Sequence, residues 1–220
     1  MILPTFDFEK SLLPPRCRYL LGVDEVGRGP LAGPLTLTGF LIDLSIFNPK
    51  NFIKLSVRDS KTLSHLQRQK IVNAVELQNY STKTIMIESR DLDKQGITAS
   101  LHFGLTQILQ FFQGRFDICL FDGNTNFGFS SVISVIRGDA NCFSIFAASI
   151  IAKESHDTIM DEYDLQYPQY GFKNHKGYGT AAHLAALKLH GPCPIHRFSY
   201  KPIKNLITYK RQCVGTPLGF

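Results

Sequence analysis

Short apolar runs separated by turn residues recur along the first two thirds of the chain. Strands are expected at 19–23, 35–42 and 82–88, because each is apolar or alternating and is bounded by Gly, Pro or polar positions. Two similar runs follow at 117–121 and 132–136. The pattern therefore predicts about five strands.

Helical signals lie between and after these runs. A capping-box pattern at Ser64 predicts a helix to about Gln78, and the stretches 144–164 and 180–190 are also expected to be helical, the last ending at Gly191-Pro192. Thr98 is placed to cap a further helix. Its apolar face would consist of Leu101, Leu105, Ile108 and Phe112. Helices interleaved with strands indicate α/β architecture.

Charge is distributed unevenly along the chain. The net charge is +6, but 171–220 contains eight Lys or Arg and no Asp or Glu, so 1–170 carries 16 − 18 = −2. We therefore expect a catalytic or binding body over 1–170 and a basic extension over 171–220 that packs on the same domain. A basic surface attracts nucleic acid or an anionic membrane, and a solvated basic tail is the alternative.

Cysteine usage and the amino-terminal residues bear on the compartment. The odd number of cysteines suggests no disulfide framework and favours a reducing cytoplasm. The sequence after Met1 lacks the basic and apolar segments of a signal peptide, and no apolar run approaches membrane-spanning length. The cysteines are Cys17, Cys119, Cys142, Cys193 and Cys213.

Carboxylates follow the apolar runs at three places. Asp24 and Glu25 follow the first predicted strand, Asp122 follows the fourth, and Asp139 comes shortly after the fifth. Single carboxylates there are often caps or turn residues. An adjacent pair after a buried strand is harder to explain that way, because desolvated charges need partners. Ligand sites in open α/β sheets also lie beyond strand ends.

A divalent metal would compensate these charges. Magnesium and manganese prefer carboxylate oxygens, and two such ions suit in-line displacement at a phosphodiester. Neighbours in a regular strand face opposite sides, so Asp24 and Glu25 can share a site only where the strand is ending, which Gly27 makes plausible. The sequence therefore predicts a metal-dependent nuclease.

Five ordered motifs resemble the prokaryotic-type ribonuclease HII family. Residues 22–34 read GVDEVGRGPLAGP, residues 59–64 read DSKTLS, and Asp122-Gly123 follows. Gly138-Asp139 then precedes AASIIAK at 147–153. The final motif runs from Tyr167-Pro168 through HKGYGT at 175–180 to GP at 191–192 and PIHR at 194–197. The resemblance covers about 17–200.

This resemblance implies a fold and an activity. The fold is ribonuclease H-like, with a central five-stranded mixed sheet, flanking helices and a C-terminal helical extension. The activity is endonucleolytic cleavage of RNA in RNA–DNA hybrids, including single ribonucleotides embedded in duplex DNA. It requires two divalent ions, Mn²⁺ or Mg²⁺. We expect a cytoplasmic monomer without an obligate protein partner.

The resemblance also assigns residues. The metal ligands fall on Asp24, Glu25, Asp122 and Asp139. The segment Gly27-Arg28-Gly29 corresponds to the part that reads the 2′-hydroxyl, the group that separates RNA from DNA. Glycines permit close backbone approach to a sugar. Tyr178 corresponds to the aromatic residue at the RNA–DNA junction, although it could equally be a core tyrosine.

Further substrate contacts are expected outside that segment. Ser60 and Lys61 could touch phosphate, or could belong to a capped turn. Lys201 and Lys204 in the basic end are expected to contact the nucleic-acid backbone. The sequence departs from the family where His156-Asp157 replaces the frequent Arg-Asp, which weakens a phosphate-contact role there. The tail 209–220 matches no assignable pattern.

Four other interpretations compete with this one. A zinc site could use His190, Cys193 and His196, with His183 nearby, but Pro192 and Pro194 stiffen the segment. The loop 27–33 is not a phosphate-binding P-loop, since no Gly-Lys-Ser/Thr follows. The related ribonuclease HIII usually has an extra N-terminal domain and Lys in place of Arg28. A module that binds hybrids without cutting them would not need all four carboxylates.

Overall fold

A five-stranded mixed sheet forms the centre of the fold in the computed structural model, which describes residues 6–48, 65–77 and 80–214. The strands are β1 (Tyr19–Val26), β2 (Leu35–Asp43), β3 (Ser81–Ile87), β4 (Ile118–Asp122) and β5 (Val132–Val135). Their order is β3-β2-β1-β4-β5. β1 pairs antiparallel with β2 and parallel with β4, and β4 pairs parallel with β5. The mixed five-stranded sheet expected above is confirmed.

The helices of the described residues lie before, between and after the strands. They are α1 (Phe6–Ser11), α2 (His65–Leu77), α3 (Ser89–Phe111), α4 (Gly138–Asn141), α5 (Phe143–Gln166), α6 (Phe172–His175), α7 (Ala181–His190) and α8 (Lys201–Val214). None of the helices in this described part is long and apolar enough to cross a membrane.

Successive side chains of a strand point to opposite faces of the sheet, so apolar residues lie on both faces. Leu20, Phe40 and Leu120 share a core cluster with Val75 of α2 and Ala148 of α5. On the other face, α3 approaches β2 closely. A Cβ on Gly39 would lie 2.6 Å from Cγ2 of Ile108, so glycine is what allows this contact. The sheet is therefore covered by helices on both sides.

The start of α5 is fixed against β1 from two directions. A Cβ on Gly22 would lie 2.3 Å from the carbonyl carbon of Ser144, so the helix backbone touches the strand. From α1, the fully buried Glu9 accepts hydrogen bonds from the backbone N–H groups of Phe143 and Ser144, each at 3.0 Å. A carboxylate there also complements the helix dipole. Glu9 thus caps α5.

The chain divides into two compact units. The first comprises Met1–Val26, Thr36–Met86 and Leu101–Ser155, and the second Gly27–Leu35, Ile87–Ser100 and His156–Phe220. The first contains nearly all of the sheet, and the second contains the whole basic segment 171–220. The boundary near residue 170 expected from charge stays a prediction.

Most predicted elements are present, with shifted ends. β1 continues to Val26 instead of ending at Val23, because backbone pairing with β2 does not require apolar side chains. The helix expected from Thr98 begins at Ser89 and is interrupted at Gly96, where φ is 79°. The short helices α1, α4 and α6 were not predicted. The capping residue Ser64 lies outside the described residues.

Candidate active site

Two predicted ligands lie on adjacent parallel strands. The register pairs Val23 of β1 with Phe121 of β4, so Asp24 and Asp122 follow side by side at the same edge of the sheet. Asp24 is buried. Strands that run in the same direction end at the same edge, which is why residues about 100 positions apart meet here.

Asp139 reaches the same place through a tight turn after β5. Arg137 has a left-handed backbone, with φ at 56°, and begins the short helix α4. The N–H of Gly138 donates to Oδ1 of Asp122 at 2.9 Å. A Cβ on Gly138 would lie 2.4 Å from Cδ1 of Ile145, so a larger residue would displace the turn. The glycine before Asp139 therefore has a packing role.

Glu25 joins Asp24 although the two are neighbours in a strand. The N–H of Glu25 donates to Oδ1 of Asp24 at 2.8 Å. β1 ends one residue later, at Val26, and both carboxylates line one pocket. The two residues thus line one pocket although strand pairing continues past both of them to Val26.

The pocket brings together all four predicted carboxylates and three polar residues that were given no role. Its lining consists of Asp24, Glu25, Val26, Arg68, Asp122, Asp139, Ser149 and Lys153. Arg68 comes from α2, and Ser149 and Lys153 come from α5. Nε of Arg68 donates to Oε2 of Glu154 at 3.1 Å.

A sequence signal for Arg68 exists. Residues 68, 71, 72 and 75 form one helical stripe, and Ile71 and Val75 are buried. A charged residue on such a stripe must find a polar environment, because charged side chains are seldom fully buried without partners. Arg68 is indeed buried, and the carboxylate pocket is that environment.

The electrostatics of the pocket favour a bound cation. Burial, followed by the nearby charges of Glu25, Asp122 and Asp139, raises the pKa of Asp24 well above its ordinary value. Carboxylate oxygens are the donors that magnesium and manganese prefer, so the residues present fit such ions. Within the described ranges no three His, Cys, Asp or Glu side chains are already gathered closely enough to hold a metal.

The second unit contains the loop 27–34. Gly27 has φ at +92°, and a Cβ there would lie 2.6 Å from the carbonyl oxygen of Pro34, so only glycine fits. Gly29 differs, since a Cβ would be 3.6 Å from Cε1 of Tyr178, an ordinary contact distance. The structure thus brings the Gly27-Arg28-Gly29 segment and Tyr178 together. Arg28 is exposed, and Tyr178 is 44% exposed, which makes it a surface residue instead of a core tyrosine.

Buried histidines support the backbone of Tyr178. The N–H of Cys193 donates to Nδ1 of His196 at 2.9 Å, so the proton of neutral His196 is on Nε2. That proton is donated to Nε2 of His183 at 3.0 Å, and Nδ1 of His183 donates to the carbonyl of Tyr178 at 2.9 Å. Burial lowers the pKa of both histidines, that of His196 to about 3, which keeps them neutral.

These hydrogen bonds bear on the zinc alternative. Both ring nitrogens of His196 are engaged, by Cys193 and by His183. A metal at His196 would have to break one of them.

His156, where the sequence departs from the family, is fully buried. A Cβ on Gly27 would lie 3.2 Å from its Cδ2, so this side chain packs beneath the loop. It is not placed to meet phosphate at the surface.

The remaining predicted contacts have different outcomes. Lys201 and Lys204 are exposed at the start of α8, one helical turn apart. Ser60, Lys61 and the tail 215–220 lie outside the described residues. Arg197, counted within the basic segment, is fully buried and adds nothing to its exposed charge.

The fold and the pocket define a class of enzyme. Carboxylates at the ends of adjacent parallel strands, with cationic side chains on the same wall, suit metal-dependent cleavage of a phosphodiester. The family model described as Ribonuclease HII matches residues 21–203. The Ribonuclease HII of Mycoplasma capricolum is 38% identical over 190 residues, which cover 86% of this chain and 89% of that protein. The chain therefore belongs to the ribonuclease HII family, whose members are metal-dependent endoribonucleases.

Solved structures agree on the fold. The ribonuclease H2 from Pyrococcus horikoshii OT3 superimposes with a TM-score of 0.71 at 21% identity, covering 88% of this chain and 99% of that one. A structure described as Bst-RNase HIII in complex with Mn²⁺ gives a TM-score of 0.68 at 17% identity, over 89% and 71% of the two chains. The ribonuclease H-like fold implied by the motifs is confirmed.

Proposed function

We propose that this enzyme cleaves the RNA strand of RNA–DNA hybrids and single ribonucleotides embedded in duplex DNA. The reaction is two-metal-ion hydrolysis with Mn²⁺ or Mg²⁺ and leaves 5′-phosphate and 3′-hydroxyl ends. The observation that carries the proposal is the pocket in which buried Asp24 lies among Glu25, Asp122 and Asp139. Acting on lone ribonucleotides would make it a repair enzyme.

Each part of the pocket has a distinct task in this reaction. The four carboxylates are the metal ligands. Divalent ions, when bound, supply the charge that activates water and stabilises the leaving oxygen. Arg68 and Lys153 line the same pocket and offset part of the negative charge, which lowers the repulsion that a phosphodiester would meet there.

The loop and Tyr178 supply the choice of RNA over DNA. Backbone groups of Gly27, Arg28 and Gly29 contact the 2′-hydroxyl, and the Tyr178 ring stacks on the adjoining deoxynucleotide. The proximity of Gly29 to the exposed Tyr178 ring supports this pairing. A site built to hydrogen-bond a hydroxyl rejects an analogue without it, because its own polar groups are left unpaired. Contacts to the sugar-phosphate backbone of the nucleic acid come from Ser60, Lys61, Lys201 and Lys204.

The decisive experiment compares two duplexes that differ in one hydroxyl. A duplex DNA with one ribonucleotide and the same duplex with the 2′-deoxy nucleotide are incubated with Mg²⁺ or Mn²⁺, and the product ends are mapped. We expect a single cut on the 5′ side of the ribonucleotide, and no cut in the all-DNA duplex or in excess chelator. Equal cutting of both duplexes would refute the specificity. Activity in chelator would refute the metal mechanism, and binding without any cut would leave a hybrid-binding module.

A second experiment tests the loop and the ring. Gly29→Ala fits the protein itself, so a loss of rate would come from the substrate side. We expect it to reduce cleavage by about tenfold or more while duplex affinity, which depends mainly on phosphates, changes little. Tyr178→Ala should lose more activity than Tyr178→Phe, since the ring does the stacking. Wild-type rates for Gly29→Ala would remove this loop from substrate recognition.

The enzyme is proposed to act as a cytoplasmic monomer. The four cysteines whose side chains are described are free thiols, which suits a reducing compartment. Sedimentation at working concentration would test the monomer directly.

A further inference from the structure

We propose that Arg197 is the positioning residue of the loop 27–34 and thereby sets the geometry with which the enzyme reads the 2′-hydroxyl. The inference rests on the proposed function, in which that loop contacts the ribose. Arg197 would act through the loop backbone and would not touch the substrate.

The guanidinium of Arg197 is fully buried and all of its N–H groups are used. Nε and Nη2 donate to the carbonyl of Gly33 at 3.0 and 2.9 Å, and Nη2 also donates to the carbonyl of Pro34 at 2.9 Å. Nη1 donates to the carbonyl of Arg28 at 3.3 Å and to the hydroxyl of Tyr200 at 3.0 Å. These bonds account for the five donors of an arginine side chain.

The acceptors around this charge are unusual, because each of these hydrogen bonds ends on a neutral group. A buried charge is costly unless it is paired or fully hydrogen-bonded. Burial lowers the pKa of Arg197, but arginine keeps its charge at any working pH. Burying this guanidinium costs desolvation energy, and its hydrogen bonds reach three carbonyls of one loop. We therefore infer that Arg197 stabilises the conformation of that loop.

The carbonyl of Arg28 is the link to substrate reading. It accepts from Nη1 of Arg197 and also from the hydroxyl of Tyr200, at 2.7 Å. In a trans peptide the carbonyl and the following N–H point in opposite directions. Holding the Arg28 carbonyl toward Arg197 therefore turns the N–H of Gly29 away from it, at the exposed side of the loop.

The segment that carries Arg197 is itself held rigidly. The carboxylate of Asp93 accepts from the N–H groups of Phe198 and Ser199, at 2.7 and 2.9 Å. The N–H of Arg197 donates to the carbonyl of Leu31 at 2.8 Å. The donors that hold the loop thus come from a fixed backbone, as positioning requires.

The test compares two Tyr→Phe variants. Each removes a hydroxyl that donates a hydrogen bond of 2.7 Å to a backbone carbonyl. Tyr200→Phe removes the donor to the carbonyl of Arg28 and the hydroxyl that accepts from Nη1 of Arg197, whereas Tyr170→Phe removes a hydroxyl that donates to the carbonyl of Gly191 at 2.7 Å. The measurements are kcat and KM on the one-ribonucleotide duplex, and the inhibition constant of the all-DNA duplex. The melting temperature of each variant is also recorded.

We expect Tyr200→Phe to lower kcat by about tenfold, the scale of one hydrogen bond. The inhibition constant of the all-DNA duplex should stay within about twofold, because phosphate contacts do not depend on the loop. Tyr170→Phe should lower the melting temperature with unchanged kcat, because Gly191 is not part of the loop. Arg197→Lys keeps the charge without the planar fork and should lower kcat by about a hundredfold.

Several results would overturn the assignment. One is equal kcat for Tyr200→Phe and Tyr170→Phe. Another is a fall in kcat for Tyr200→Phe that is matched by an equal loss of all-DNA binding, since that pattern indicates a smaller folded fraction. If Arg197→Lys does not fold, the tyrosine pair still decides. Failure of the wild type to cut the one-ribonucleotide duplex would instead refute the proposed function.

Discussion

Asp24 in the first unit and Arg197 in the second are both buried charges, but their surroundings are opposite. Asp24 lies among three other carboxylates, and its pKa is raised by burial and by those carboxylates. Arg197 has donors matched to neutral acceptors throughout. The first arrangement costs stability until a cation arrives, whereas the second is complete within the protein.

The difference separates two ways of building an active enzyme. A site that must bind cations keeps an electrostatic imbalance, because the same charges that destabilise the fold provide the binding energy. A segment that must keep one shape uses a saturated hydrogen-bond network. Substitutions at the two residues should therefore have opposite effects on stability.

The largest effect is expected at the carboxylates. Asp24→Asn, Glu25→Gln, Asp122→Asn and Asp139→Asn should each lower kcat by two to three orders of magnitude, on the scale of about 3–4 kcal/mol for lost electrostatic stabilisation. Rates are measured with the one-ribonucleotide duplex, and the exposed Asp91→Asn is the control. Near wild-type activity for Asp139→Asn would remove that residue from the site.

Stability should move in opposite directions at the two buried charges. Arg197→Met leaves several carbonyls without donors and should cost about 3 kcal/mol, a fall in Tm of about 6–12 °C for a chain of this size. Asp24→Asn, measured in chelator, should raise Tm by about 2–4 °C because it relieves like-charge repulsion. A lower Tm for Asp24→Asn would mean that Asp24 is already compensated within the protein.

Glu9 resembles Asp24 in being a buried carboxylate and resembles Arg197 in being hydrogen-bonded, because it accepts from backbone N–H groups. Burial raises its pKa from 4.5 to about 7. The folded chain therefore binds more protons than the unfolded chain between these values, and stability should fall by about 2 kcal/mol as pH rises from about 5 to 8. Glu9→Gln should flatten this part of the pH profile of unfolding, and the exposed Glu162→Gln should not. A wild-type stability that rises over this range would show that the helix dipole dominates.

The smallest effect is expected where charges are exposed. Lys201→Glu and Lys204→Glu should each weaken duplex binding by about tenfold or less at low salt. The cut position should not change, because phosphate contacts carry no sequence information. Binding titrations over a salt series, with mapped products, test this. A flat salt response would mean that this end of the chain is merely solvated.

What the sequence predicted well followed from periodicity. That Asp24, Asp122 and Asp139 lie in one pocket was predictable because each comes at or just after the end of an apolar run, and ligand sites lie beyond strand ends. Their role as metal ligands stays a prediction. The helical face from Leu101 to Phe112 was predicted for the same kind of reason, and its residues are buried.

What it did not predict depends on packing between distant segments. Arg197 was assigned to a basic surface, because charged residues are seldom fully buried and only the folded loop reveals its acceptors. The place of Arg68 depends on how α2 lies on the sheet. The cap that Glu9 provides for α5 joins residues 135 positions apart, a distance at which local patterns carry no information.

The strand order has a consequence for synthesis on the ribosome. β1 pairs early with β2, but its other neighbour, β4, begins at Ile118, 118 − 26 = 92 residues after β1 ends. At about 5–20 residues per second, that edge of β1 waits about 5–20 seconds for its partner. An apolar edge invites pairing with another chain, and charges at its end discourage this. Asp24 and Glu25 would therefore also reduce pairing of the nascent chain with other chains. In cell-free synthesis, the double variant Asp24→Asn/Glu25→Gln should give less soluble protein than wild type, and an equal yield would contradict this role.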